Sequence, residues 1–315
     1  MKKFYRILGG IILLILIALT GASFYMLNYS IEAPTNGYAS QWRKLHIDYP
    51  QLRDWLDSVK NNNRLGDTTI TLANGLRGHA FYLRNDSAQG KSAICIHGYG
   101  NNALGMMQIA YIYNKVMKMN VVLPDLHAHG KSEGNDIQMG WKDRLDVEQW
   151  IPIAEKMFRK SGRKSKMVIH GISMGAATTM NISGDTTPDY VRCFIEDCGY
   201  TSVWDEFGNQ LKAEFNLPEF PLLYTTSALC RLRYGWSFGE ASSLKQVAKC
   251  SKPMLFIHGD TDNFVPSGMV YPLFNAKPQP KELWITKGTA HAKSYKDYPE
   301  EYSRRVAAFV GRSFR

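Results

Sequence analysis

One stretch constrains this chain more than any other: Val168-Ile169-His170-Gly171-Ile172-Ser173-Met174-Gly175-Ala176-Ala177. The apolar run Lys166 to His170 reads as a buried strand, and Ala176 to Met180 is compatible with a helix. Between them the spacing is Gly-x-Ser-x-Gly. A serine flanked in this way suits a strained strand-to-helix turn, where side chains at the glycine positions would meet crowded backbone. Such a turn lifts the serine oxygen above the sheet. The first N–H groups of the following helix have no intrahelical partner, so they are available to a developing oxyanion.

The rest of the chain alternates strands and helices around that turn. Thr68 to Leu72 and His79 to Leu83 flank Asn74-Gly75, a hairpin signal. Ser92 to Ile96, Asn120 to Leu123, Val191 to Ile195, Pro253 to Ile257 and Glu282 to Ile285 are further short apolar runs. Asn102 to Lys118 and Tyr298 to Phe314 are expected to be helices. So is Lys142 to Lys160, with Pro152 kinking it or marking its start. Strands separated by helices imply right-handed crossovers and a mostly parallel sheet with helices on both faces, with the hairpin adding antiparallel strands at one edge. Ligands of such sheets meet the carboxyl ends of the strands. Tyr200 to Leu244 breaks the alternation. Its aromatics (Trp204, Phe207, Phe215, Phe220, Tyr224, Tyr234, Trp236, Phe238) and prolines 218 and 221 suggest a small cap inserted between two strands and lying over the site.

Ile7 to Leu27 carries no charged residue and, at about 1.5 Å per residue, is long enough to cross a hydrocarbon layer of about 30 Å. Lys2, Lys3 and Arg6 precede it, and the next charge is Glu32. The positive-inside bias therefore predicts a single-pass cell-membrane protein with its N-terminus in the cytoplasm and its body outside. Thr20-Gly21-Ala22 offers an alternative, a cleaved signal and a secreted body. The apolar character resuming at Phe24 to Leu27 favours the anchor. Asn28 to Arg64 reads as a stalk followed by a helix (Leu52, Trp55, Leu56, Val59) that leans on the body. The net charge of +10 comes from scattered basic residues, a solvated surface and no nucleic-acid footprint. Five cysteines are too few for a disulfide scaffold, so buried thiols are expected, with Cys230 and Cys250 the one pairing to consider.

Four loops at strand ends carry chemistry. His97-Gly98-Tyr99-Gly100-Asn101-Asn102 follows the third strand and Asp125-Leu126-His127-Ala128-His129-Gly130-Lys131-Ser132-Glu133-Gly134 the fourth. His258-Gly259-Asp260-Thr261-Asp262-Asn263-Phe264-Val265-Pro266 and Gly288-Thr289-Ala290-His291 follow the last two. From about Asp67 to the C-terminus this arrangement resembles the α/β-hydrolase superfamily, and within it the serine-aminopeptidase-like and cinnamoyl-esterase-like hydrolases, some of them membrane-anchored. The resemblance implies a triad in the chain order Ser173, Asp262, His291, with the backbone N–H groups of Tyr99 and Met174 as an oxyanion hole. The family's Asp-x-Arg-Gly-His-Gly-x-Ser-x-Gly stretch appears as Asp125 to Gly134, with His127 and Ala128 where Arg and Gly are usual.

The chemistry agrees. A serine hydroxyl needs a base within hydrogen-bond reach, and histidine can take its proton and return it to the leaving group. A carboxylate then fixes the imidazole tautomer. Asp260 and, after the preceding strand, Asp197 compete with Asp262 for that place. His97 and His258 read as loop braces; His127, His129 and Asp125 are the one set of residues that suggests metal ligands. The expected activity is cleavage of an ester or related acyl bond in a small-molecule substrate through an acyl-enzyme, without metal or organic cofactor. Peptidase or acyltransferase activity on the same triad, and non-catalytic ligand binding, are the alternatives. The expected divisions are a tail (1–6), an anchor (7–27), a stalk and leaning helix (28–65), a core in two parts (66–199 and 249–315) and a cap (200–248).

Overall fold

Every apolar run expected to be a strand is one: β1 Leu65–Thr71, β2 Arg77–Leu83, β3 Lys91–Ile96, β4 Asn120–Pro124, β5 Lys166–Ile172, β6 Val191–Asp197, β7 Met254–Gly259 and β8 Lys281–Thr286. The computed structural model describes residues 1–33 and 37–315. Pro34 and Asn36, read above as part of a stalk, lie outside the described residues. The strands form one sheet in the order β1-β2-β4-β3-β5-β6-β7-β8. β1 pairs antiparallel with β2, and β2 with β4; every other pairing is parallel. The hairpin turns at Gly75, whose φ of +83° suits a residue without Cβ.

The helices are α1 Lys2–Ile31, α2 Tyr38–Asp48, α3 Arg53–Asn61, α4 Met107–Tyr111, α5 Asp143–Phe158, α6 Met174–Ser183, α7 Val203–Phe215, α8 Leu222–Tyr234, α9 Ser243–Val247, α10 Val270–Ala276, α11 Ser294–Asp297 and α12 Pro299–Ser313. The chain divides into two compact units, one of Met1–Glu32 with Ser202–Ser242 and one of Ala33–Thr201 with Ser243–Arg315.

In the larger unit, alternate strand residues (Ala93 and Cys95, Val121 and Leu123, Cys193 and Ile195, Leu255 and Ile257) share one apolar cluster with Trp55, Leu56 and Val59 of α3, Ile109 and Ala110 of α4, and Val306 and Phe309 of α12. Period-2 alternation sends the intervening Ile94, Ile96, Val122, Phe194 and Phe256, all buried, to the opposite face. Helices α5 and α6 pack there. Three local features depart from the expectations. Tyr38–Asp48 is a helix and not a stalk, because Leu45 is buried and Tyr38 and Trp42 pack on the cluster. Asn102–Lys118 is a short 3₁₀ turn, then α4, then a π-helical turn over Ile112–Val116. Helix α5 runs through Pro152, whose ring is exposed while Ile151 and Ala154 beside it are buried.

In the smaller unit α1 lies against α8. Ser23, Leu27 and Ile31 are its buried residues, spaced four apart on one face. Ser23 Oγ and Thr225 Oγ1 hydrogen-bond at 2.7 Å, Arg233 donates to Asn28 Oδ1 at 3.2 Å, and Tyr29 donates to Glu214 at 2.8 Å. Trp236 and Phe238 are the unit's buried aromatics, and Phe238 meets Phe207 edge-on at 4.8 Å. α1 is the one helix among the described residues long and apolar enough to cross a membrane. Cys230 and Cys250 are both buried and form no disulfide, so the buried-thiol expectation holds over the pairing considered beside it.

Leu56 belongs to the core although it precedes the sheet. Leu56→Ala is expected to lower stability by about 2–5 kcal/mol, measured by urea unfolding of the full chain in detergent; a loss below about 0.5 kcal/mol would separate α3 from the core.

Candidate active site

The turn between β5 and α6 puts Ser173 at φ +58°, ψ −121°, a conformation costly for a residue with a Cβ. Two close approaches hold it there. A Cβ at Gly171 would lie 1.9 Å from the Gly175 carbonyl oxygen, and one at Gly175 2.1 Å from that of Ile96. The Ser173 N–H donates to the Asp197 carbonyl at 2.8 Å.

His291 meets this serine, with Nε2 2.9 Å from Ser173 Oγ. Its Nδ1 is 2.7 Å from Asp262 Oδ2. The carboxylate can only accept, so Nδ1 carries the proton and Nε2 faces the hydroxyl as an acceptor. Asp262 Oδ1 accepts the N–H groups of Phe264 and Val265, each at 3.0 Å. Burial pushes the Asp262 carboxyl up, but hydrogen bonds from His258 and His291 outweigh it and hold the group below its ordinary range. The two loops are stitched together: Asp260 N–H donates to the Thr286 carbonyl at 3.0 Å and Thr261 N–H to that of Thr289 at 3.1 Å.

The competing carboxylates are engaged elsewhere. Asp260 accepts from the Gly288 N–H at 2.6 Å, a turn brace. Asp197 accepts from Tyr302 at 3.0 Å and Ser294 at 3.2 Å, and burial, only partly offset by Tyr302, raises it to about 6. Behind it runs a buried relay that sequence reasoning missed: Tyr113 to His170 Nδ1 at 2.9 Å, then His170 Nε2 to Tyr302 at 2.9 Å. Burial lowers His170 to about 3, so the ring is neutral and can accept at one nitrogen and donate at the other. Glu196, next in β6, is raised to about 8 by burial, with His258 and the Gly199 N–H opposing.

The loop holding Tyr99 is also braced. Gly98 brings the backbone so close that a Cβ would sit 3.1 Å from Ser173 Cβ. The Leu126 N–H donates to His97 Nε2 at 3.0 Å and the Gly100 N–H to His129 Nε2 at 3.3 Å. Tyr99 lines the same cavity as Ser173 and His291, about 190 Å³ in volume, with Gln41, Lys44 and Lys293. Met174 opens α6 directly after Ser173, its side chain buried.

The three residues read as a possible metal set do not converge. Asp125 accepts the Ala103 N–H at 2.7 Å, is 2.6 Å from His79 Nδ1 and takes the Tyr38 hydroxyl, none of which sequence spacing signals. His129 donates to the His127 carbonyl at 2.7 Å, and burial, with His97 adding to it, lowers it to about 3. His127 instead faces Asp136 at 3.6 Å and Asp146 at 3.8 Å.

No family model matches the sequence. The chain is 30% identical over 217 residues to the protein YqkD of Bacillus subtilis, covering 69% of this chain and 70% of that one. Among solved structures it is similar to the esterase Pf2001 of Pyrococcus furiosus, with a TM-score of 0.62 and 24% identity over 81% of this chain and 95% of that one. The chain belongs to one family with YqkD, and its fold is the α/β-hydrolase fold. The acylaminoacyl peptidase of Pyrococcus horikoshii has the same fold at a TM-score of 0.57 and 14% identity, over 81% of this chain and 43% of that one.

Two substitutions test how this chain builds its site. Gly171→Ala is expected to cost about 3 kcal/mol or more in urea unfolding, because only backbone could yield, whereas Gly268→Ala, with no atom within 4 Å of the added Cβ, should stay within about 0.5 kcal/mol. Glu196 binds its proton more tightly folded (about 8) than unfolded (about 4.3), so it lowers stability progressively as pH rises through that window. Glu196→Gln should therefore gain on the native chain by about 1 kcal/mol or more between pH 5 and pH 8; an unchanged difference would mean that Glu196 is ionised in the fold.

Proposed function

We propose that this protein is a membrane-anchored serine hydrolase that cleaves an ester or related acyl bond. The observation that carries the reading is the contact of His291 with both Ser173 Oγ and Asp262 Oδ2, at 2.9 and 2.7 Å. As His291 Nε2 takes the hydroxyl proton, Ser173 Oγ attacks the acyl carbon and the carbonyl oxygen becomes an oxyanion. The N–H groups of Tyr99 and Met174 are its donors, each worth about 3 kcal/mol in the transition state. His291 then protonates the leaving oxygen, the ester bond breaks and Ser173 carries the acyl group. Water, deprotonated by His291, releases the acid and restores the serine. Asp262 stays ionised throughout and stabilises the imidazolium.

The apolar α1, preceded by Lys2, Lys3 and Arg6, supports a single pass with the N-terminus in the cytoplasm and the hydrolase outside. The expected divisions into tail, anchor, core and cap form part of this proposal, with the helix Tyr38–Asp48 belonging to the core.

A fluorophosphonate probe should label Ser173, and short-chain p-nitrophenyl esters should turn over. Ser173→Ala and His291→Ala are each expected to reduce kcat by about 10³–10⁶-fold, and Asp262→Asn by about 10⁴-fold. Native protein that neither takes the probe nor turns over any acyl substrate would end the enzyme reading.

A further inference from the structure

We infer that residues 218–221 and the first turn of α8 form a membrane-inserting surface that sits in the outer leaflet beside α1. The inference rests on the anchored reading above. The partner is a lipid bilayer.

Contacts along α1 set the register. Ser23 pairs with Thr225 and Asn28 with Arg233, so α1 and α8 run side by side in the same direction. The start of α8 therefore lies toward the N-terminal, apolar part of α1, and its end near the exit. A hydrocarbon layer of about 30 Å takes about 20 helical residues, which, counted from Ile7 just after Arg6, reaches Met26. Yet α1 is bare only as far as Ala18; burial begins at Leu19 and is complete at Ser23 and Leu27. From Ile7 to Ala18 the helix spans roughly 18 Å at 1.5 Å per residue, about 12 Å short. Either the bilayer thins by that amount, a severe mismatch, or the end of the smaller unit enters it.

The surface at that level is built for entry. Phe220 is 72% exposed and Tyr224 53%, and Phe220 packs edge-on against Tyr224 at 5.7 Å. Pro218 and Pro221 have no N–H to leave unsatisfied in lipid. The N–H groups of Asn216 and Leu217 already donate back to Lys212 and Leu211 of α7. Ser23 and Thr225 satisfy each other across the helix contact. The cations lie at the other end: Lys212, Arg231 and Arg233, with Glu214, lie close to the ends of α7 and α8, at the level of Asn28 and Tyr29. The start of α7, which meets α8 through Trp204 and Tyr224, instead carries the buried Glu206 and Asp205, whose carboxylate accepts the Ser202 hydroxyl. Glu219 is the one charge in the loop, and its carboxylate accepts the Trp204 indole N–H at 3.2 Å. Phe24, Tyr25 and Tyr29 stand exposed on α1 close to where the hydrocarbon ends, the level aromatic side chains favour.

The test uses the full chain reconstituted in phosphatidylcholine vesicles. Phe220→Cys and, at the cationic end, the 85% exposed Leu232→Cys are labelled separately with a polarity-sensitive fluorophore; the five native thiols are buried. The label at 220 is expected to emit at shorter wavelength, to be quenched at least twofold more by spin-labelled lipid than the label at 232, and to be shielded from aqueous iodide. Equal access of iodide to both positions, in protein that resists carbonate extraction, overturns the surface while leaving the anchor intact. A label at 220 shielded from iodide but untouched by lipid-borne quencher overturns it in favour of a contact between copies. Release of the chain by carbonate overturns the anchor and the surface together.

Discussion

The candidate site depends on one backbone strain, the positive φ of Ser173. An L-residue adopts that conformation only where its surroundings over-determine it. Here the determinants are two carbonyl contacts that admit no Cβ, at Gly171 and Gly175, and the hydrogen bond from the Ser173 N–H to the Asp197 carbonyl. The strain does geometric work: it turns the hydroxyl out of the sheet plane at the carboxyl end of β5, where loops from β3, β7 and β8 can reach it. Relaxing the turn would move Oγ by more than a hydrogen bond tolerates.

Holding the turn costs stability elsewhere. The Asp197 carbonyl is fixed by the strand it ends, and that strand carries two buried carboxyls, Glu196 and Asp197, both raised by burial. Asp197 is kept in place by Tyr302 and Ser294, and Tyr302 by His170 and Tyr113, so a chain of oriented hydrogen bonds runs from the α12 side to the back of the elbow. A fully satisfied network in a low-dielectric interior specifies a single arrangement, and each missing partner would leave a buried group unpaired. Asp125 plays the same part for the loop holding Tyr99, joining β2, α2 and the turn before α4 at one carboxylate.

What was legible from the sequence follows from the range of the signal. The elbow is local: strand, two glycines and helix start fall within ten residues, and the physics that demands them acts over the same distance. Strands were legible by apolar runs, and the places of Asp262 and His291 through the family resemblance of the loops that follow the last two. The braces were not. Asp125 depends on His79 and Tyr38, and His170 on Tyr113 and Tyr302, partners in other elements with no spacing that marks them. The π-helical turn after α4 was equally hidden, because tertiary burial of its residues overrides local preference.

The same limit explains the N-terminal helix. A helix that is apolar all round announces a membrane span by composition, and composition says nothing about which residues also pack on protein. Ser23, Leu27 and Ile31 form a stripe one residue wide within a run whose other members are as apolar, so no hydrophobic periodicity sets them apart. The discriminating feature is Ser23, small and polar, which lets α8 approach and gives Thr225 a partner. Helix α1 thus differs along its length, bare over its N-terminal turns and packed on protein over its last ones. The boundary between them is decided by where α8 begins and not by hydropathy.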